Sequence, residues 1–320
     1  MKRTSLLICA LPLLLDARAF AWGTLGHRTI ATLAMEQLQK ANPAAAAKVK
    51  EILAGESIED ASIWPDDIRH SKMKSRSGRF SETPEGKAFT EAHPDNSSWH
   101  YLDLPLDIKT YAQDKRFIME NDIVATLGKC IDVLEGKSDF MSKRDALRWL
   151  IHLGGDVHQP LHVAAGFFKF DDDGRATLIT SPDEAAQHPE GKDSGGNKLL
   201  LTKELPLHRY WDENVVVMTA DTEAKLAVEI RKKMAELKPT NTGPCREWPP
   251  LWAMDSAETS RMIYAELRFG KRFPRTGNYW TLYLNLKPDT KEKFRVWGEE
   301  RVANAARNLG DLLAAIQWAK

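Results

Sequence analysis

Eleven residues constrain this chain more than any others. His-Leu-Gly-Gly-Asp-Val-His-Gln-Pro-Leu-His, residues 152–162, holds three histidines and an aspartate. His152 and Asp156 stand four apart, so a helix places both side chains on one face, one turn apart. The preceding residues predict that helix. Ser142 with Asp145 three residues on resembles an N-cap, and Leu147, Trp149, Leu150 and Leu153 supply a wide apolar face. Pro160 cannot continue the hydrogen-bond ladder, so the helix is expected to stop just before it and to leave His162 facing another direction. His-x-x-x-Asp, a turn and a further His is ligand-like spacing for zinc, which takes imidazole nitrogen and carboxylate oxygen at about 2.0–2.2 Å. The plain alternative is a polar helix end with solvated histidines.

The rest of the chain narrows the choice. It has 320 residues with 45 basic and 45 acidic side chains. Formal neutrality argues against a protein that grips polyanions by bulk charge, though not against a local basic groove. The N-terminus reads as an export signal spanning residues 1–21. Lys2 and Arg3 precede a short apolar run, Leu6 to Leu15, and Ala19-Phe20-Ala21 is an A-x-A cleavage site. Cleavage there makes Trp22 the mature N-terminus and removes Cys9. Cys130 and Cys245 remain, and an export route makes a disulfide between them possible. The expected product is a soluble protein, periplasmic or secreted, with no membrane anchor after cleavage and no stable protein partner implied.

Helical patterns dominate: about 26–40, 121–135, 222–237, 256–268 and 293–318. Other candidate chemistry is dispersed. His27 lies five residues from the new terminus, where a freed α-amino group has a pKa of about 7.7–8 and can chelate a metal together with its own carbonyl. Trp64-Pro65-Asp66-Asp67 marks a turn or helix start with Asp66 just inside. From Arg69 to Arg79, the cations Arg69, Lys72, Lys74, Arg76 and Arg79 occur without an acid, and they are the best candidates for phosphate contacts. Trp99-His100-Tyr101-Leu102-Asp103 alternates like a short extended segment. Asp171 to Gly174 reads as a turn closing a hairpin onto 176–180, and the following stretch through Pro182, Pro189 and Lys192 as a surface loop. Asp193-Ser-Gly195-Gly196-Asn197 would let a backbone approach a ligand closely. His208 and Asp212 repeat the His-x-x-x-Asp spacing. Asn96-Ser-Ser is a glycosylation sequon, relevant only in a eukaryotic secretory pathway.

Five histidines, several aspartates and one free amine exceed what a single tetrahedral zinc needs and suit a cluster of three. W-G-x-x-G-H from Trp22, W-P-D-D-I-R, W-H-Y-L-D, H-L-G-G-D-V-H-Q-P-L-H, G-G-N and L-H-R-Y-W-D together resemble the S1/P1 nuclease family, secreted zinc enzymes that cut single-stranded nucleic acids. The resemblance runs from Trp22 to about Asp212 and continues beyond only as helices. It implies an all-α, single-domain, phospholipase C/P1 nuclease-like fold with a short irregular or β-hairpin insertion, the catalytic domain covering residues 22–320.

It also implies three zinc sites. Asp66, His100, His152 and Asp156 would hold one. The amine and carbonyl of Trp22, His27 and the second oxygen of Asp156 would hold another. His162, His208 and Asp212 would hold the third. His158, two residues from Asp156, is read as packing or outer support. A hydroxide bridging the close pair, oriented by Asp66, would attack phosphorus, while the third zinc and Arg69 neutralise the phosphate and the departing 3′ oxygen. Tyr101 would stack a base, Asp103 and Asn197 would bind its edge, and Gly195 and Gly196 would give close approach. Single-stranded DNA or RNA would yield 5′-phosphorylated nucleotides, with 3′-nucleotidase activity besides. About twenty extra residues between Val163 and Asp193 depart from the family's short connection. The competing readings are a zinc-dependent phospholipase C, which has a related cluster, and a non-catalytic exported zinc-binding protein, against which the dispersed histidines stand.

Overall fold

The computed structural model describes residues 22–69, 83–274 and 280–319. Residues 1–21, expected to be an export signal, and the basic run beyond Arg69 lie outside the described residues. The fold is mainly α-helical. In chain order come α1 (Gly23–Ala41), α2 (Pro43–Leu53), α3 (Ile58–Arg69), α4 (Pro84–Ala92), α5 (Ile123–Leu134), α6 (Lys143–Asp156) and α7 (Pro160–Val163). They are followed by α8 (Pro182–Gln187), α9 (Leu207–Arg209), α10 (Val215–Thr219), α11 (Glu223–Glu236), α12 (Trp248–Glu266) and α13 (Pro288–Ala315).

Helix α6 is the axis of this arrangement. Ser142 caps it: the Asp145 amide donates to Ser142 Oγ at 3.1 Å, and Ser142 Oγ donates to the Asp145 carboxylate at 2.6 Å. Every residue from Ala146 to Asp156 is buried. A helix hydrophobic on several sides must be enclosed, and α6 packs against α3, α5 and α13. Its two consecutive glycines, costly for an isolated helix at about 1 kcal/mol each, permit this closeness. A Cβ at Gly154 would meet Leu309 of α13 at 3.1 Å, and one at Gly155 would meet His27 of α1 at 3.0 Å. The helix stops at Asp156, four residues before Pro160. Pro160 instead opens α7, a first-turn position where its missing N–H costs nothing.

Three local expectations change. Pro65 lies inside α3 rather than at its start; its ring removes one ladder bond, and burial of the flanking Ala61, Trp64 and Ile68 holds the helix through the break. His100 sits in a turn, and the extended segment begins only after it, where Leu102 and Leu104 amides donate to the carbonyls of His162 and Val163 at 2.6 and 3.1 Å. The segment before Lys192 contains α8, which Ser181 caps and Pro182 opens.

The insertion does contain the hairpin. β1 (Phe167–Phe170) pairs antiparallel with β2 (Ala176–Ile179), from Phe167 opposite Ile179 to Phe170 opposite Ala176. A second small sheet joins β3 (Leu199–Thr202), β4 (Leu205–Pro206), β5 (Phe273–Pro274) and β6 (Trp280–Tyr283), with β3 and β6 parallel at its centre. Cys130 and Cys245 are free thiols, so the contemplated disulfide is not formed. Asn96 of the sequon is buried and donates to the His93 carbonyl at 2.7 Å, which keeps its amide from a glycan.

Candidate metal centre

The fold brings residues that lie as far apart in the chain as Trp22 and Asp212 to the C-terminal end of α6. His152 Nε2 and Asp156 Oδ2 lie 3.1 Å apart, one turn apart on α6 as their spacing predicts. The turn at His100 brings its Nδ1 to 3.1 Å from the same oxygen and 3.0 Å from His152 Nε2. Asp66 Oδ1, from α3, lies 3.7 Å from both rings. Ligands of a tetrahedral zinc are separated by about 3.3–3.4 Å when its bonds are about 2.0–2.1 Å. The four atoms therefore have the spacing of one coordination shell. Asp156 turns its other oxygen to His27 Nε2 at 3.1 Å, so one carboxylate faces two directions at once.

Trp22 is fully buried with a left-handed backbone, φ 49°. Its indole donates to the Gly155 carbonyl at 3.0 Å, and its own carbonyl accepts the Gly26 amide at 3.0 Å. A carbonyl has two lone pairs, so one remains for a further contact.

A third group lies beside these. His162 and His208 stack, with Nε2 atoms 3.1 Å apart. Asp212 approaches them at 3.8 and 3.6 Å. His208 is on α9, and Asp212 sits on the π-helical turn Tyr210–Asn214 that follows. A π-turn rotates the side chain away from an ordinary helical position, a device frequent at functional sites. All three residues are buried, so this is no exposed helical pair.

Backbone carbonyls set which nitrogen of each ring faces inward. His152 Nδ1 donates to Ser62 at 2.7 Å, His162 Nδ1 to His100 at 2.8 Å and His208 Nδ1 to Gly195 at 2.7 Å. Carbonyls accept only, so each ring carries its hydrogen on Nδ1 and turns Nε2 inward, with a bare lone pair in the neutral rings of His162 and His208, the arrangement metal-ligating histidines adopt. Burial keeps His208 neutral, down to about 3, and lowers His162 as well. Two unprotonated nitrogens at 3.1 Å repel unless a cation lies between them. Burial, with His152 adding to it, also lowers His27 to about 4. Burial lifts Asp66 to about 7 and Asp212 well above the carboxylate range. For His152, burial pulls down but Asp156 and Asp66 prevail and hold the ring near 9: this point calls for positive charge.

Both His27 nitrogens, His100 Nε2, Asp66 Oδ1, Asp156 Oδ1 and Asp212 Oδ2 are buried without a hydrogen bond. Orphaned polar atoms on this scale are rare in folded proteins, and His27 Nε2, Asp66 Oδ1, Asp156 Oδ1 and Asp212 Oδ2 among them lie within 3.1–3.7 Å of another candidate ligand. Three groups have the spacing to hold a metal ion: His27, Asp66 and His152; His100, His152 and Asp156; His162, His208 and Asp212.

The family model described as S1/P1 Nuclease matches residues 22–317. The chain belongs to the S1/P1 nuclease family. Among curated proteins, Endonuclease 3 of Arabidopsis thaliana is 24% identical over 227 residues, 69% of this chain and 64% of that protein. Endonuclease 4 of the same plant is 23% identical over 252 residues, 73% of this chain and 68% of that protein. The chain thus spans about two thirds of the length of these relatives.

In this S1/P1 family member a cavity of about 250 Å³ opens over the third group, lined by Arg69, Tyr101, Asp103, His162, Lys192, Asn197 and His208 among others. Tyr101, Asp103 and Asn197, three of the residues expected at a base site, therefore share one space, with two differences from the expectation. Asp103 is not free: Lys192 Nζ donates to it at 2.6 Å, and burial raises its carboxyl despite that cation. Gly195 and Gly196 serve packing within the protein. Both have positive φ, and a Cβ at Gly195 would stand 2.1 Å from the Leu161 carbonyl oxygen. Asn197 Nδ2 donates to the Ser194 carbonyl at 2.8 Å.

Sequence reasoning missed Lys192 and Gln159. Gln159 donates to Asp212 Oδ1 at 2.6 Å and fixes that carboxylate; it lies inside the 152–162 motif, so the signal was present. His158 behaves as expected of a supporting residue. Its ring bridges the Gly154 carbonyl and Asn308, each at 2.8 Å, and burial holds it neutral, down to about 3.

Proposed function

We propose that this chain is an exported zinc-dependent phosphodiesterase that cuts single-stranded DNA and RNA to 5′-phosphorylated products and also removes 3′-phosphates from nucleotides. The observation that carries the reading is the set of bare imidazole nitrogens and orphaned carboxylate oxygens at one end of α6, next to a cavity containing Arg69 and Tyr101. Family membership and the two plant relatives named as endonucleases support it.

Asp66, His100, His152 and Asp156 would hold one zinc; Trp22, His27 and Asp156 a second; His162, His208 and Asp212 a third. Bound there, zinc lowers the pKa of water towards 7 and offsets phosphate charge. The chain's own residues do the rest. Asp66 orients the attacking water, and the Arg69 fork matches two phosphate oxygens. Tyr101 stacks one base, worth about 1–3 kcal/mol and indifferent to sequence. Asn197 and Asp103 meet the base edge, with Lys192 attached to the latter. A base must leave its duplex stack to reach Tyr101, which favours single strands.

Processing before Trp22 belongs to the same proposal: residues 1–21 would be a signal segment removed on export, and the family match begins at Trp22. No helix among the described residues is long and apolar enough to cross a membrane.

The test is incubation of single-stranded DNA with the zinc-loaded chain beginning at Trp22, followed by analysis of product ends. Chelator-sensitive release of 5′-phosphorylated nucleotides is expected. Absence of cleavage by a fully metallated protein overturns the proposal and makes lipid vesicles the next substrate.

A further inference from the structure

The insertion builds a second cavity. β1, α8 and the segment 116–119 enclose about 500 Å³, within the ordinary range of small-ligand sites. Phe117, Ile118, Met119, Phe167 and Pro189 give it apolar walls. Phe167 is buried and meets the half-buried Phe117 edge-on, ring centroids 5.7 Å apart. Asp103 and Lys192 line this cavity and also the one over His162 and His208, so their ion pair is the wall between the two.

We propose that this cavity is a second base subsite, which takes the nucleobase adjoining the one at Tyr101. The inference rests on the nuclease reading above. A polymer with one base at Tyr101 and the 3′-phosphate of that nucleotide at the metal centre continues on the other side of that base, and the shared wall makes this cavity the adjoining space. Aromatic walls suit the next base because stacking tolerates any sequence. Lys192 stands where the linking phosphate passes. Its ammonium has three donors and Asp103 uses one, which leaves donors for phosphate oxygens. A lipid tail would have to cross this charged boundary, whereas a nucleotide places its own charge there. The subsite therefore reads substrate length: a dinucleotide fills it and a mononucleotide does not.

The experiment compares a 3′-mononucleotide with a dinucleotide that likewise ends in a 3′-phosphate, using the zinc-loaded wild type, Ala186→Phe and Phe117→Ala. Ala186 lines the cavity and a phenyl ring there fills it; the second variant removes a wall. In both, the ratio of dinucleotide KM to mononucleotide KM is expected to rise about tenfold, in keeping with the loss of one stacked base. An unchanged ratio in either variant that retains wild-type metal content overturns the subsite while leaving the nuclease reading intact. A wild type that turns over neither nucleotide overturns both. If the wild type hydrolyses a short-chain phosphatidylcholine and Ala186→Phe stops it, the cavity holds an acyl chain and the subsite is overturned.

Discussion

At the scale of single residues, the site is surrounded by groups whose charge burial opposes. Asp193 is the one best suited to measurement, since it contacts none of the candidate ligands. It is fully buried, accepts the Tyr264 hydroxyl at 2.7 Å, and accepts the Gly166 and Gly196 amides at 3.0 and 3.1 Å. Burial outweighs those donors and lifts the carboxyl to about 7. The sign of the linkage follows. Between the ordinary aspartate value near 4 and about 7, the folded chain holds a proton that the unfolded chain has released. Stability must then fall as pH rises through this window, by at most about 1.4 kcal/mol per pH unit, and level off above it. Denaturant unfolding at a series of pH values, wild type against Asp193→Asn, isolates the effect. The wild type is expected to lose stability relative to the variant from pH 4 to 7. A difference that stays flat over that range would show that the three donors, not burial, set this carboxyl's pKa.

At the scale of elements, the decisive contact is the one between α1 and α6. His27 stacks on His152 with ring centroids 4.1 Å apart, and a Cβ on Gly155 would lie 3.0–3.1 Å from the His27 ring. The ring has no room to retreat. Gly155→Ala should therefore raise intrinsic helix propensity by about 1 kcal/mol yet displace His27 from Asp156. The expected outcome is unchanged helical content by circular dichroism with fewer metal ions per chain by elemental analysis; full metal content would remove the packing argument. The same contact explains what the sequence made legible. Spacing on one helix, His152 to Asp156, could be read directly, because helical geometry alone fixes it. The Ser142 cap and the Asp171–Gly174 turn were likewise local and legible. Pro65 inside α3 was not, because burial against the rest of the core overrode the local proline rule. Asp103 could be singled out, but its pairing with Lys192 could not, since 89 residues separate them and only the folded insertion brings them together.

At the scale of the molecule, the candidate ligands span residues 22 to 212 and come from α1, α3, the turn at His100, α6, α7, α9 and the π-turn. An ion bound among them ties distant segments together, and binding that is confined to the folded state stabilises it by mass action, by about 2.7 kcal/mol per site at a hundred times its Kd. Chelation should consequently lower Tm. The size of that loss must depend on how the chain starts, because the Trp22 amine belongs to the proposed shell only when nothing precedes it. A terminal amine has a free lone pair above its pKa of about 7.7–8, whereas an amide nitrogen has none to give. A chain beginning at Trp22 and one carrying a single additional Met before it should therefore differ. The longer chain is expected to bind zinc at the His27–Asp156 position at least about tenfold more weakly, the scale on which even supporting contacts to a metal shell matter. Its Tm should also fall less on chelation, since it has less bound metal to lose. Competition titrations with a chromophoric chelator and calorimetry on both chains, with the extra Met verified by mass spectrometry, read the two quantities independently. Equal affinities and equal Tm losses would remove the amine from the metal centre and leave Trp22 as a buried ring that anchors α1 on the Gly155 carbonyl.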